Sequence, residues 1–171
     1  MDKRKIKARL ELEDGSVFTG YSFGASSSIA GEVVFNTSMV GYPESLTDPS
    51  YAGQILVLTY PLIGNYGVPP ADQENQLKKY FESDRIQVSG LVISEYSMQY
   101  NHWNAAHSLS DWLSEHNVPG LYGIDTRMLT KRLREEGTML GRLLNVSEQP
   151  DFYDPNKIDL VERVTLKEPI E

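Results

Sequence analysis

Residues 31–69 read GEVVFNTSMVGYPESLTDPSYAGQILVLTYPLIGNYGVP, two apolar runs held apart by a dense block of turn-forming residues. Val33, Val34 and Phe35, then Ile55, Leu56, Val57 and Leu58, are the β-branched, aliphatic and aromatic residues that buried strands require. Between them stand Gly41, Pro43, Asp48, Pro49, Ser50 and Gly53. Glycine accepts positive φ, proline presets φ, and Asp or Ser hydrogen-bonds its own backbone, so this block predicts a loop over Tyr42–Tyr51. Pro61 and the run Gly64-Asn65-Tyr66-Gly67 stop the second strand. A long loop between two buried strands is costly to order, and such loops commonly carry function.

The chain has 171 residues, which fits one domain with a tail. A chain of this size buries roughly 70% of the surface it exposes when unfolded, so its core needs neither disulfide nor metal. Sixteen basic against 24 acidic residues leave a net charge of −8, which argues against a nucleic-acid backbone as partner. The exception is Lys3-Arg4-Lys5 with Lys7 and Arg9, which reads as a solvated N-terminal arm. There is no cysteine, which excludes disulfides, thiolate zinc sites and a cysteine nucleophile in this chain. No apolar run approaches the roughly 20 residues needed to span a bilayer. With no apolar signal segment, and with Glu11, Glu13 and Asp14 early in the chain, a cytoplasmic location is the expectation.

Outward from the central stretch, residues 7–12 (KARLEL) alternate and predict a half-buried strand, Asp14-Gly15 is a two-residue hairpin signal, and Val17–Tyr21 is the returning strand. Ala71–Ser83 is polar with Leu77, Tyr80 and Phe81 in register, which predicts a short surface helix. Val88–Ser94 reads as a buried strand, and Glu95–His107 as a loop. Ser108 is the expected cap of a helix to Asn117, and Gly120–Ile124 a short strand. Asp125 is the expected cap of Thr126–Glu136, which Gly137 stops. Thr138–Leu144 and Leu160–Leu166 are further strand candidates. Strands first, then mixed strands and helices, predict an α+β or β-rich α/β domain.

Catalytic signatures are thin. The P-loop, the dinucleotide glycine fingerprint, the nucleophile elbow and the zinc-protease helix are absent, and His102, His107 and His116 lack metal-ligand spacing. The loop Tyr42–Tyr51 remains, where Ser50 follows Asp48-Pro49. Ser50 reads either as a turn or cap residue, or as a hydroxyl presented outward to a ligand by a rigid turn.

The central stretch, together with LEDGSVFTGYSFGA, KYFES, VSGLVISEYS, GIDTRMLTKRLREEGTMLGRL, DPNK and LVERV, closely resembles the N-terminal domain of the small (glutaminase) subunit of glutamine-dependent carbamoyl-phosphate synthase. It is most similar to the form in the eukaryotic multifunctional pyrimidine-biosynthesis protein. The resemblance implies a β/β/α domain over residues 1–166, with 167–171 the start of a linker to a C-terminal class I glutamine amidotransferase domain, against which it packs while contacting the synthetase large subunit or fused domain. The amidotransferase releases ammonia from glutamine with a Cys-His-Glu triad. The synthetase, which would use ATP and a divalent metal, makes carbamoyl phosphate for pyrimidine or arginine synthesis. No cofactor is implied for this chain itself. Ser50, in TDPSY, matches the residue that this domain lends to its neighbour's glutamine pocket. The alternative is a stand-alone interaction module that keeps the fold without the chemistry. Partner surfaces are expected on the Tyr42–Tyr51 and Tyr96–Trp103 loops, whose aromatics suit an interface.

Overall fold

A computed structural model describes residues 5–70, 73–74, 77–78, 80–102, 105–145 and 149–154. The alternating N-terminal run forms β1 (Lys7–Leu12) with Ala8, Leu10 and Leu12 buried, and turns back into β2 (Val17–Gly24). The hairpin loop has three residues, not two. Gly15 N–H donates to Leu12 O at 3.0 Å, Leu12 N–H donates to Ser16 O at 2.9 Å, and Gly15 has φ 86°. Asp14-Gly15 therefore builds a type I turn closed by a glycine bulge, the other common way of matching hairpin twist.

The two runs of the central stretch become β3 (Ile29–Asn36) and β4 (Ile55–Leu58), paired in parallel with Val33 opposite Ile55 and Asn36 opposite Leu58. Parallel neighbours need a crossover. Here the crossover contains helix α1 (Tyr42–Thr47) and a 3-10 turn over Pro49–Tyr51, so the expected loop is corrected to two short helices. Pro43 and Pro49 each occupy a first helical turn, where the missing N–H would have had no intrahelical partner and the fixed φ helps.

Next come β5 (Leu62–Ile63), β6 (Gln73–Glu74), β7 (Leu77–Lys78), β8 (Gly90–Val92) and β9 (Glu95–Tyr96). The last elements among the described residues are α2 (Leu109–Glu115), β10 (Pro119–Tyr122), α3 (Thr126–Glu136) and β11 (Met139–Leu144). The helix expected over Ala71–Ser83 is not formed, because β6 and β7 pair there as antiparallel strands. A short polar segment has too little apolar face for packing to fix it as a helix. Phe81 instead packs on Trp112 of α2, 5.5 Å between ring centroids. The capping predictions hold, with Ser108 Oγ accepting from Asp111 N–H and Asp125 Oδ1 from Met128 N–H. Gly137 ends α3 at φ 90°, ψ −173°, a conformation nearly restricted to glycine. The candidate strand Leu160–Leu166, the expected linker start 167–171 and Trp103 lie outside the described residues.

Seven strands close into a barrel in the order β1-β11-β3-β4-β8-β10-β2. The mixed sheet and few helices fit the α+β class, while the closure itself was not foreseen. β3, β4, β8 and β10 are mutually parallel, and the remaining pairings within the barrel are antiparallel. Inside lie Leu10, Leu12, Phe18, Val33, Ile55, Val57, Val92 and Leu143, and Leu129 and Leu133 of α3 join them. Tyr42, Leu46, Leu56, Leu91, Leu109 and Leu113 form a second apolar layer, which puts α1 and α2 on the outer face of the parallel strands. Alternate residues of β4 serve the two layers, as the two-residue strand period requires.

α3 leaves the carboxyl end of β10 and returns to β11 beside the carboxyl end of β3, so it lies across that end of the barrel. Arg132 ties it to the β1–β2 hairpin through Asp14, Nε to Oδ2 2.6 Å. On β1, Glu11 takes both Arg9 (2.6 Å) and Arg142 (2.8 Å). The Arg9 hydrogen bond, with Arg142 assisting against burial, holds the Glu11 carboxyl below its usual range; the Ser16 amide, then Arg132, does so for Asp14. Among the described residues no helix is long and apolar enough to cross a membrane.

Two outcomes check this architecture. A Cβ at Gly20 would stand 2.2 Å from the Tyr122 carbonyl oxygen, whereas one at Gly15 meets nothing within 4 Å. Gly20→Ala is therefore expected to fall at the upper end of the roughly 1–3 kcal/mol typical of overpacking, and Gly15→Ala near about 1 kcal/mol for its positive φ alone. Equal urea midpoints for the two variants would contradict the β2–β10 packing. The second outcome concerns acid. Both carboxyl pKa values are lowered on folding, so their stabilisation is complete above the unfolded value of about 4 and is lost as pH falls through the folded values. Glu11→Gln combined with Asp14→Asn should flatten the acid limb of a stability-against-pH curve and leave its shape above pH ~6 unchanged.

Candidate functional site

The turn that carries Ser50 is built from its neighbours. Asp48 is extended (φ −70°, ψ 120°), and its Oδ1 accepts from Ser50 N–H at 2.8 Å while its carbonyl accepts from Tyr51 N–H at 3.1 Å. Ala52 N–H reaches back to Pro49 O, and Gly53 N–H to Gln87 O, both at 3.1 Å. The Ser50 backbone is thus fixed by its neighbours. Its side chain is exposed, and its hydroxyl makes no hydrogen bond among the described residues. The site sits just before the amino end of β4, where Gln54 O accepts from Ser89 N–H ahead of β8.

α1 is braced on two sides. At its start Gly41 (φ 83°) supplies no capping side chain, and the Tyr66 hydroxyl accepts from the amides of Gly41 (3.1 Å) and Tyr42 (3.2 Å) instead. The Tyr42 hydroxyl in turn donates to Gly67 O, and the two rings stack 4.2 Å apart. The Gly64–Gly67 run that stops the second strand is therefore also the clamp on α1. Burial pushes both hydroxyls above the usual tyrosine range. At its end Leu46 O accepts from Gln87 N–H at 2.8 Å, and Thr47 Oγ1 from Glu82 N–H at 3.0 Å. Asn36 at the end of β3 donates to Ser45 Oγ (3.3 Å) and Tyr51 OH (3.2 Å), tying α1 to the Ser50 turn. Beside this turn lies a polar cleft of about 310 Å³ with Asn36, Glu44, Ser45, Asp48, Tyr51 and Glu82 in its walls.

α1 is the feature that sequence reasoning missed, although Tyr42-Pro43-Glu44 held the signal, a proline and an acid in a first helical turn. Of the two expected interface segments, the first has its Tyr42 ring buried in the core rather than presented at the surface, and the second keeps Met98 60% and Tyr100 40% exposed. Among the described residues no three His, Asp or Glu side chains converge as a metal site. His102 stands edge-on to Tyr66, and His116 Nδ1 is 2.9 Å from Trp112 O.

Residues 10–143 match the family model described as the carbamoyl-phosphate synthase small chain, CPSase domain. The chain belongs to that family. It is 51% identical to multifunctional protein URA2 of Saccharomyces cerevisiae and 55% identical to multifunctional protein CAD of Squalus acanthias, over 94% and 95% of its length. The mitochondrial carbamoyl-phosphate synthase (ammonia) of Mus musculus is also 55% identical, over 94% of this chain. The chain spans only 8%, 7% and 11% of those three proteins. The resemblance to the form in eukaryotic multifunctional proteins is borne out, and the mitochondrial form stands at the same level.

The clamp on α1 is testable. Tyr66→Phe leaves the Gly41 and Tyr42 amides without their acceptor, and a loss of about 1–3 kcal/mol in unfolding free energy is expected. Amide hydrogen exchange should rise first over residues 41–47. Unchanged protection there would mean that the hydroxyl does not hold the helix.

Proposed function

We propose that this chain is the N-terminal domain of a glutamine-hydrolysing carbamoyl-phosphate synthase small subunit or fused region, with the β/β/α arrangement of that family. It docks a C-terminal glutamine amidotransferase domain onto the synthetase and lends Ser50 to the glutamine pocket. The observation that carries this reading is the Ser50 turn, with backbone amides internally satisfied and a hydroxyl left for an outside ligand. The relatives named as synthases and multifunctional proteins supply the reaction class. The ammonia so released would serve carbamoyl phosphate synthesis for pyrimidine or arginine production in the cytoplasm. ATP and a divalent metal would be the synthetase's requirement rather than this domain's. With no cysteine in these residues, the purified 171-residue chain should hydrolyse no glutamine, because acyl transfer needs an activated nucleophile.

Ser50→Ala in the complete enzyme is the decisive variant. Losing a hydrogen bond to a charged substrate group costs about 1.5–3 kcal/mol, so KM for glutamine should rise on the order of ten- to a hundredfold. The rate with ammonia as nitrogen donor should stay near normal. An equal loss with both donors would mark a folding defect and remove Ser50 from the pocket.

A further inference from the structure

The carboxyl ends of the four parallel strands face away from the Ser50 turn. Thr37 follows β3, Thr59 follows β4 and Ser94 follows β8, and with α3 laid across them they wall an open cleft of about 830 Å³. β4 alone separates this end from the Ser50 end by four residues, roughly 13 Å of strand. The cleft gathers three cations of an acidic chain. Arg127, Lys131 and Arg134 line it, all exposed, at helical spacings of four and three that place them in one row. At 1.5 Å per residue that row is about 10 Å long.

These cations are not neutralised as three other arginines are. Arg9, Arg132 and Arg142 are paired to Glu11 or Asp14 at 2.6–2.8 Å. Arg127 has no carboxylate partner among the described residues, and Arg134 only overlies the Phe35 ring at 5.3 Å. Lys131 is 3.8 Å from Glu135 in an exposed pair, the kind that contributes little. The one carboxylate in the wall, Asp125, is turned to the Met128 amide. Thr130 lines the same cleft, is 6% exposed, and leaves its hydroxyl without a partner among the described residues. Met128, 57% exposed, adds an apolar contact.

A small anion is held by donors that converge on one point. A straight row of separated cations with an exposed methionine, along an open trough, fits a run of carboxylates on a polypeptide. We propose that this cleft is the docking surface for an acidic protein segment, received by Arg127, Lys131 and Arg134. The proposal rests on the docking role given above, and it assigns to that role a face, opposite Ser50, and a chemistry.

The test is zero-length carbodiimide coupling in the intact native protein that carries this chain, with cross-linked peptides identified by mass spectrometry. Lys131 should couple to an Asp or Glu outside residues 1–171. The yield should fall several-fold when salt is raised from 50 to 300 mM, and likewise in Arg127→Glu, an exposed substitution that leaves the core untouched. Coupling of Lys131 to Glu135 alone overturns the proposal. So does protection of Lys131 by millimolar inorganic phosphate with no outside carboxylate coupled, which would make the cleft a small-anion site. If other residues of this domain couple to the synthetase region while Lys131 does not, this face is wrong and the docking role stands. If no residue of the domain couples to that region, the docking role itself fails.

Discussion

Four adjacent parallel strands impose the condition that the rest of the molecule meets, since a parallel sheet has to be covered on both faces. Here a single chain covers them in two different ways. The outer face of β4, β8 and β10 receives α1 and α2 and the aromatic layer around Phe23, Tyr96 and Tyr122. The inner face is covered by the sheet itself, which curls round until β1, β2 and β11 lie opposite. Closure leaves one end open at the strand tips, and α3 fills it with Leu129 and Leu133. The small residues follow from the same condition. A Cβ at Gly141 would stand 2.4 Å from Val33 inside the barrel, and one at Gly120 would stand 2.3 Å from the Phe23 ring outside it.

The Ser50 turn depends on this frame for its position and on local chemistry for its shape. The Asp48 side chain, the two prolines and Gly53 set the local conformation. What fixes that conformation in space is distant in sequence: the Tyr66 hydroxyl at one end of α1, and the 82–87 segment at the other. A rigid backbone with a solvent-facing hydroxyl loses little ordering entropy when a ligand arrives, which is the use of preorganisation.

The strands were largely legible in the sequence because their burial left a pattern. β1 alternates, β4 and β8 are continuous apolar runs, and α2 and α3 are announced by Ser108 and Asp125 as caps. What could not be read was set by partners far away. Nothing local states that β3 and β4 run parallel, or that β11 inserts between β1 and β3. The segment around residues 71–83 had the spacing of a helix edge, yet such spacing decides little when few apolar side chains stand behind it. For the site, Asp48-Pro49-Ser50 was legible as a turn because its hydrogen bonds are local. The crossover helix before it was hidden because prolines serve helix starts as readily as loops.

The insertion of the last strand has a consequence for synthesis. β1 pairs with β2 as soon as both exist, but its other edge waits for β11, with Leu10 opposite Leu143, and β3 waits for the same strand through Val33 and Met139. During translation the domain is therefore an open sheet with two bare edges until residue 144 has cleared the ribosome. Pairing over so long a sequence separation is slow to find and leaves apolar strands exposed meanwhile. A polypeptide ending before Met139 would leave the edges of β1 and β3 without the strand that joins them, and the barrel would stay open along that seam.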